Sequence, residues 1–365
     1  MPSNPKRIDV IRLDSNMSIK KIDHDSLQWL SPSAAPFHIA GFAWFDKERK
    51  YRRLPSSPAL PLPTAVDELA NCTAGGQIRF RTNSSRLSLK VKLRGPSDMY
   101  HMPATGQSGI DCYLGDPGNQ HYLSTTRFDP ACTEYEAEMY NWGEKREFAV
   151  TLNFPLYQGV EEVWIGVDPD ATIGAAPSYA SDKPIVIYGT SITQGGCATR
   201  PGMAYPNILS RSIPMEFINL GFSGNGKGEP EVARTIAEIA NPAMLILDYE
   251  ANSGTIEEIS TTLPQFIHLY RERHPDVPIV VISKIQYSGD RYYEKMQSLH
   301  EGRKKVQEET VERLRREGDA NIHFVDGSNL LGEDAEECTV DGVHPTDLGF
   351  IRMAKSLEPI IRELL

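Results

Sequence analysis

The sequence predicts an antiparallel β-sandwich followed by a three-layer α/β domain, because its pattern changes near residue 180. Before that point, short β-rich segments alternate with turn residues and show almost no helical periodicity. After it, wholly apolar strand segments alternate with helical segments, as in a parallel sheet covered on both faces. A chain of 365 residues also favours two domains, which are predicted to span residues 1–180 and 181–365.

Seven short strands are predicted in the first domain, separated by turns such as GDPGN and WGEK. They are Gln77–Asn83, Arg86–Leu93, Gly109–Gly115, His121–Phe128, Tyr135–Asn141, Arg146–Leu152 and Glu161–Val167. Residues 38–46 are expected to add an edge strand. The four prolines of residues 53–64 predict an extended connector, and the small residues of 168–183 predict a linker.

Five strands, each followed by a helical segment, are predicted in the second domain. The strands are Pro184–Gly189, Phe217–Gly221, Ala243–Glu250, Pro278–Lys284 and Asn321–Gly327. The helices are expected around Ala204–Arg211, Glu229–Ala240, Ile256–Arg273, Arg291–Glu317 and after His344. Thr346 is expected to cap the last helix, and Pro359 to interrupt it.

Charge and cysteine content exclude several classes of protein. A net charge of −11 and a pI near 5.4 disfavour binding to nucleic acid or to an anionic membrane surface. The N-terminal segment 1–16 lacks the apolar core of a secretory signal, and no apolar run is long enough to span a bilayer. Five scattered cysteines without a CxxC pair predict reduced thiols, buried where they lie outside the loop of Cys197. A cytoplasmic protein without cofactor or metal site is expected.

Two of the loops that follow the strands carry candidate groups, and ligands bind parallel sheets beyond the carboxyl ends of the strands. The first loop, GTSITQGG, places Ser191 on a turn where its hydroxyl can lie beside backbone N–H groups. An ordinary Ser/Thr/Gly turn is the alternative. The second loop, GFSGNGKGE, has glycines that let an N–H approach a ligand closely. A phosphate cradle is the rival interpretation, but Gly228 stands where GxxxxGK[ST] needs Ser or Thr.

The loops after the third and last strands complete a catalytic pattern. Asn252 can donate its amide N–H to a developing oxyanion, although a turn-capping role is the alternative. Asp341 and His344 lie three residues apart in VDGVHP. A serine hydroxyl needs a base to take its proton, and a carboxylate on the far nitrogen orients that imidazole. The order nucleophile, N–H donor, amide donor, base therefore predicts a serine hydrolase.

These blocks resemble the SGNH (GDSL-like) hydrolase superfamily over roughly residues 184–365. By motif, its four eponymous residues fall on Ser191, Gly224, Asn252 and His344, and Asp341 completes a triad. The resemblance implies a flavodoxin-like catalytic domain. It also implies an oxyanion hole built from the N–H groups of Ser191 and Gly224 and the side chain of Asn252.

Two departures from the common family pattern point to a subgroup. Thr190 replaces the usual Asp of the GDS block, and no Asp follows Asn252. Both departures resemble members that carry an N-terminal β-domain with a GxDLY-type motif, which here is Gly109–Tyr113, GIDCY.

The resemblance implies a serine esterase that acts on short-chain acyl esters such as acetyl esters, with an acylated saccharide as one candidate substrate. An acyltransferase with the same triad and a non-catalytic carbohydrate-binding protein are the alternatives. The sequence is compatible with a homo-oligomer and does not determine the oligomeric state. The segment 100–113, rich in Met, Pro, Gly and aromatic residues, is expected to help shape the substrate site or to pack between the domains.

Overall fold

The computed structural model of the chain describes residues 13–14, 17–19, 22–23 and 26–365, so most of the N-terminal segment 1–16 lies outside the described residues. The strands are β1 Gln28–Leu30, β2 His38–Ala40, β3 Gln77–Thr82, β4 Arg86–Leu93, β5 Asp111–Leu114, β6 His121–Thr125, β7 Glu134–Asn141, β8 Phe148–Asn153, β9 Val160–Val167, β10 Ile173–Gly174, β11 Ile185–Gly189, β12 Phe217–Gly221, β13 Met244–Asp248, β14 Ile279–Ile282 and β15 Ile322–Val325.

Helices of the described residues are α1 Phe45–Glu48, α2 Thr64–Leu69, α3 Ala104–Gln107, α4 Ser191–Gln194, α5 Tyr205–Ser212, α6 Pro230–Ile236, α7 Ile256–Arg271, α8 Glu294–Arg316 and α9 Asp347–Leu364. Single 3₁₀ turns cover Pro201–Met203, Glu250–Asn252, Ser288–Arg291, Gly327–Asn329 and Ala335–Cys338. None of the helices in this part of the chain is long and apolar enough to cross a membrane.

The first half is the predicted antiparallel sandwich. One sheet has the order β1-β9-β4-β7, and the other has the order β10-β3-β8-β5-β6 with β2 paired to β3. Inward side chains such as Phe80, Leu89 and Ile165 fill the space between the sheets and are wholly buried. The seven predicted strands are confirmed. The edge strand predicted over residues 38–46 is confirmed only at His38–Ala40, because the chain leaves the sheet there and forms the helix α1 from Phe45. The predicted linker departs from expectation at β10, which pairs with the end of β3.

The second half is the predicted parallel sheet with helices on both faces. Its order β12-β11-β13-β14-β15 corresponds to 2-1-3-4-5 within the domain, the flavodoxin-like order. Ile187 faces a core that includes residues of α5 and α9, whereas the next strand position, Tyr188, faces residues of α6 and α7. This burial on both faces explains why the strand sequences lack polar alternation.

Two expectations about α9 are wrong. The helix continues through Pro359, because Leu357 and Ile361 on either side of the proline are buried in the core and their packing outweighs the lost hydrogen bond. Thr346 stands at the N-cap position, but its hydroxyl donates to the Cys338 carbonyl at 3.1 Å instead of capping the helix.

The expected burial of Cys132 is also wrong, since that residue lies exposed in the loop between β6 and β7.

The two halves share a continuous interface. Met102 and Leu156 of the sandwich belong to the same buried cluster as Ile192 of the nucleophile turn. The guanidinium of Arg53, which is wholly buried, donates to the carbonyls of Leu69 and Cys72 on its own side and to those of Asn219 and Gly221 at the end of β12. Apolar packing and a buried polar bridge therefore hold the sandwich against the catalytic edge of the parallel sheet.

Candidate active site

The turn after β11 places Ser191 at the carboxyl edge of the sheet. A Cβ on Gly189 would lie 2.0 Å from the Thr193 hydroxyl oxygen, so glycine is required where the strand meets the turn. Thr190 accepts the N–H of Ile192 at 3.3 Å and so caps α4. Thr190 thereby has a local role at the position where the family usually has Asp. Ser191 is the first residue of α4, a single helical turn at the place where the sequence predicts a turn.

The three predicted triad residues come together. Ser191 Oγ lies 3.0 Å from His344 Nε2, and His344 Nδ1 lies 2.8 Å from Asp341 Oδ2. The other carboxylate oxygen of Asp341 accepts the backbone N–H groups of Val343 at 3.0 Å and His344 at 2.8 Å. The backbone of the short D-x-x-H turn therefore orients the Asp341 carboxylate independently of its bond to the imidazole.

The charge on Asp341 determines the tautomer of His344. Burial opposes ionisation of Asp341, but hydrogen bonds from the backbone and ring of His344 outweigh it and lower the pKa of the carboxyl below its ordinary value. An ionised carboxylate accepts, so Nδ1 carries the proton and Nε2 presents its lone pair to Ser191. This is the arrangement in which an imidazole can act as a general base toward a hydroxyl.

A backbone contact joins the nucleophile loop to the histidine turn. The N–H of Cys197 donates to the carbonyl of Pro345 at 3.0 Å, and the N–H of Val340 donates to the carbonyl of His344 at 2.9 Å. Burial, together with the charge of Asp341, raises the pKa of the Cys197 thiol to about 12. The thiol is therefore protonated at neutral pH and does not compete with Ser191 as a nucleophile.

Gly224 and Asn252 lie on neighbouring loops. Gly224 has φ +66°, and a Cβ there would meet nothing within 4 Å, so the position faces open space. Asn252 Nδ2 donates to the Asn225 carbonyl at 2.6 Å, which uses one of its two N–H groups and leaves the other for a ligand. The N–H of Ser223 is anchored to Gln194 Oε1 at 3.0 Å, so the loop is also tied to α4.

A buried carboxylate that the sequence did not single out supports the turn of Asn252. Glu250 is 1 % exposed and accepts the Lys284 N–H at 2.7 Å and the Gln307 amide at 2.8 Å. Arg303 Nε lies 3.4 Å from its other oxygen. Because Glu250 begins the 3₁₀ turn that ends at Asn252, these contacts hold the amide in place.

The sandwich also reaches the catalytic residues. Tyr157 donates its hydroxyl to the Ser191 carbonyl at 3.2 Å, and the hydroxyl of Thr105 donates to the Thr199 carbonyl at 2.6 Å. The ring of His101 packs edge-on against that of His344, with centroids 5.5 Å apart. Sequence reasoning missed Tyr157 and named His101 only within a segment, because neither residue stands in a motif.

The GIDCY motif lies at the junction of the two halves. Asp111 is wholly buried and accepts the Gly202 N–H at 2.7 Å, Arg200 Nη1 at 3.0 Å and Asn153 Nδ2 at 2.7 Å. The Arg200 guanidinium lies 3.8 Å from the centroid of the Tyr122 ring. The motif thus fastens the segment that follows the nucleophile loop to the sandwich.

Comparisons with known proteins agree with this architecture. The model of the GDSL-like lipase/acylhydrolase family matches residues 182–362, and the model of the GxDLY N-terminus of SGNH-type esterases matches residues 27–173. A search of curated proteins gave no match. Among solved structures, a GDSL-like lipase from Bacteroides ovatus is 32% identical, with 93% of this chain and 98% of the other covered and a TM-score of 0.85.

Two more distant structures show the same fold. The salicylyl-acyltransferase SsfX3 of a tetracycline biosynthetic pathway is 20% identical, with a TM-score of 0.77. A family two carbohydrate esterase from Cellvibrio japonicus is 14% identical, with a TM-score of 0.60. Each alignment covers 93% of this chain and 98% of the other. The chain belongs to the GDSL-like lipase/acylhydrolase family, in the SGNH type with a GxDLY N-terminal domain, and is a carboxylic ester hydrolase.

Proposed function

We propose that this protein hydrolyses short-chain acyl esters with Ser191 as nucleophile, His344 as general base and Asp341 as the orienting carboxylate. The contact of 3.0 Å between Ser191 Oγ and His344 Nε2 carries this proposal, because the geometry permits direct proton transfer from the hydroxyl. We further propose the catalytic domain as residues 181–365 and the sandwich as residues 1–180.

The reaction proceeds through an acyl-enzyme. His344 Nε2 takes the proton of Ser191 as Oγ bonds to the ester carbonyl carbon, and the carbonyl oxygen becomes an oxyanion. The N–H groups of Ser191 and Gly224 and the free N–H of Asn252 stabilise that charge. The imidazolium returns its proton to the departing alcohol oxygen. Water, deprotonated by the same nitrogen, then releases the carboxylic acid and regenerates the hydroxyl. The proposed mechanism uses these side chains, the backbone N–H groups and water, without a cofactor.

Packing behind the nucleophile supports a short acyl group. A Cβ on Gly195 would lie 2.8 Å from a methyl of Leu156, and one on Gly196 would lie 2.5 Å from the Tyr157 hydroxyl. The sandwich therefore fills the space on that side of Ser191, where a long acyl chain would need a channel.

An aromatic pair from the sandwich supports a saccharide as the alcohol part. Tyr100 is 93% exposed and stacks on His101 with centroids 4.4 Å apart, and His101 contacts His344. Aromatic rings offer an apolar face with a polar edge, which suits a sugar at the mouth of the site. The carbohydrate esterase activity of the Cellvibrio japonicus protein is in keeping with this substrate class.

A fluorophosphonate probe tests the nucleophile directly. We expect covalent labelling of the full chain and none of Ser191→Ala, while Ser260→Ala, a matched change at an exposed position of α7, labels like the parent. Labelling of Ser191→Ala would overturn the assignment. An unlabelled parent would favour the non-catalytic carbohydrate-binding alternative.

Substrate class is tested with aryl esters of increasing acyl length and with acetylated saccharides. We expect kcat/KM to fall as the acyl chain lengthens and to be highest for an acetylated sugar. Acyltransfer is the second candidate, because the alignment with the salicylyl-acyltransferase spans both domains. It predicts that an added alcohol captures the acyl group in preference to water, which product analysis would show.

A further inference from the structure

Three groups with high affinity for zinc converge beside the nucleophile. Donor atoms of His101, Cys197 and His344 all lie within 4.8 Å of one another. They come from three separate segments, namely the sandwich loop before α3, the loop after α4 and the turn before α9. Imidazole nitrogen and thiolate sulfur are the ligands that Zn²⁺ prefers in proteins.

His101 is in a state that a metal would relieve. Its Nδ1 is buried and has no hydrogen-bond partner in the part of the chain that the structure describes. A buried polar atom without a partner loses its hydration without compensation, which is unfavourable. Stacking on Tyr100 holds the His101 ring beside that of His344, so the two imidazoles are already close together when a metal arrives.

His344 presents the nitrogen that a metal needs. Its Nδ1 is bonded to Asp341 at 2.8 Å, so Nε2 carries the lone pair. A carboxylate behind a ligating histidine is the usual support of zinc sites, because it orients the ring and makes the nitrogen more basic. The same bond that prepares His344 as a base therefore prepares it as a zinc ligand.

We propose that His101, Cys197 and His344 form an inhibitory Zn²⁺ site, in which the metal occupies the lone pair of His344 Nε2 and so removes the general base. Zn–N bonds of about 2.0–2.1 Å and a Zn–S bond of about 2.3 Å place the two nitrogens and the sulfur of a tetrahedral site roughly 3.3–3.6 Å apart. Side-chain rotations that move the three donor atoms by about 1 Å bring them from the observed separations to these distances. Binding releases the Cys197 proton to solvent, and the fourth position is left for water.

Metal binding by the full chain is measured first, by competition with a chromophoric chelator. We expect one Zn²⁺ per chain and no comparable binding of Mg²⁺ or Ca²⁺, which prefer oxygen ligands. His101→Gln and Cys197→Ser should each weaken binding roughly tenfold or more. The matched controls His121→Gln and Cys132→Ser, both at exposed positions, should bind like the parent. Failure of the parent to bind, or parental affinity in both site variants, overturns the proposal.

Inhibition is measured second, on an aryl acetate in chelator-free buffer. We expect Zn²⁺ to abolish turnover and EDTA to restore it. The midpoint of inhibition should rise roughly tenfold or more in His101→Gln and Cys197→Ser, each referred to its own metal-free rate. A parental midpoint in both variants overturns the proposal.

Only the inhibition rests on the proposed function. Ser191→Ala should bind Zn²⁺ like the parent, because Ser191 is not among the ligands. An active esterase that does not bind zinc refutes the metal site alone. A chain that binds zinc through these ligands but does not hydrolyse esters refutes the esterase mechanism alone.

Discussion

Two segments meet at the candidate active site, and they differ in how their role is encoded. The turn 339–345 is self-contained, since Asp341 and His344 are three residues apart and bond to each other. The sandwich segment 99–107 has no such internal pattern and approaches the site only because the two domains pack together. The Asp341–His344 pair is therefore local in sequence, whereas the walls of the site depend on the domain interface. Variants of each region should consequently fail in different ways.

The largest effect is expected at the nucleophile and base. Ser191→Ala and His344→Ala should each lower kcat for an aryl acetate by about a thousandfold or more, because the hydroxyl is not activated without its partner. Asp341→Asn should lose less, because the serine–imidazole pair and the oxyanion hole remain. The thermal unfolding midpoints should stay near that of the parent. Parental turnover in either alanine variant would contradict the triad.

The next largest effect is expected at the proposed oxyanion hole. Asn252→Ala should lower kcat by roughly 10²–10³ with a smaller change in KM, because the contact strengthens as charge develops. Steady-state kinetics measure both constants. Asn329→Ala, a change at an exposed position of the same domain, serves as the control. A rise in KM with unchanged kcat would instead place Asn252 in ground-state binding.

A substitution at the domain interface should lower the free energy of unfolding more than it lowers catalytic activity. Arg53→Met removes a wholly buried guanidinium from four backbone carbonyls, so we expect the free energy of unfolding to fall by about 3 kcal/mol. Chemical denaturation measures this change. Arg146→Ala, at a position that is largely exposed, is the control. Equal stabilities of the two variants would mean that the bridge does not join the domains.

The smallest effect is expected within the sandwich, at Asp168. Burial opposes its ionisation, but hydrogen bonds from Ser85 and Arg86 outweigh it and lower its pKa to about 2. Because the folded pKa is depressed, this stabilisation is complete above the ordinary pKa near 4 and is lost as the pH falls toward 2.

Asp168→Asn should therefore reduce the free energy of unfolding by roughly 2 kcal/mol at pH 7. The deficit should shrink as the pH falls from 4 to 2, which denaturation at a series of pH values measures. Asp182→Asn, at an exposed position, is the control. A loss of unfolding free energy that does not change with pH would show that the packing of Asp168, and not its charge, stabilises this part of the sandwich.

The sequence alone predicts the seven main strands of the sandwich and the alternating strands and long helices of the second domain, and it also points to the residues that we propose as the reacting groups. Period-two and wholly apolar segments depend on local burial, and the D-x-x-H turn depends on neighbours three residues apart, so both are visible in the chain. Local sequence preference was wrong at Pro359. Proline disfavours the interior of a helix, but the burial of one face of α9 outweighs that effect.

Only the tertiary structure decided what surrounds Ser191. Tyr157 and His101 contact Ser191 and His344 from positions tens to hundreds of residues away. Neither His101 nor Cys197, which we propose as zinc ligands beside His344, stands in a short ligand spacing that a sequence motif would reveal. The contacts of Tyr157 and His101 arise from the packing of two domains, so no periodicity or motif within one segment predicts them.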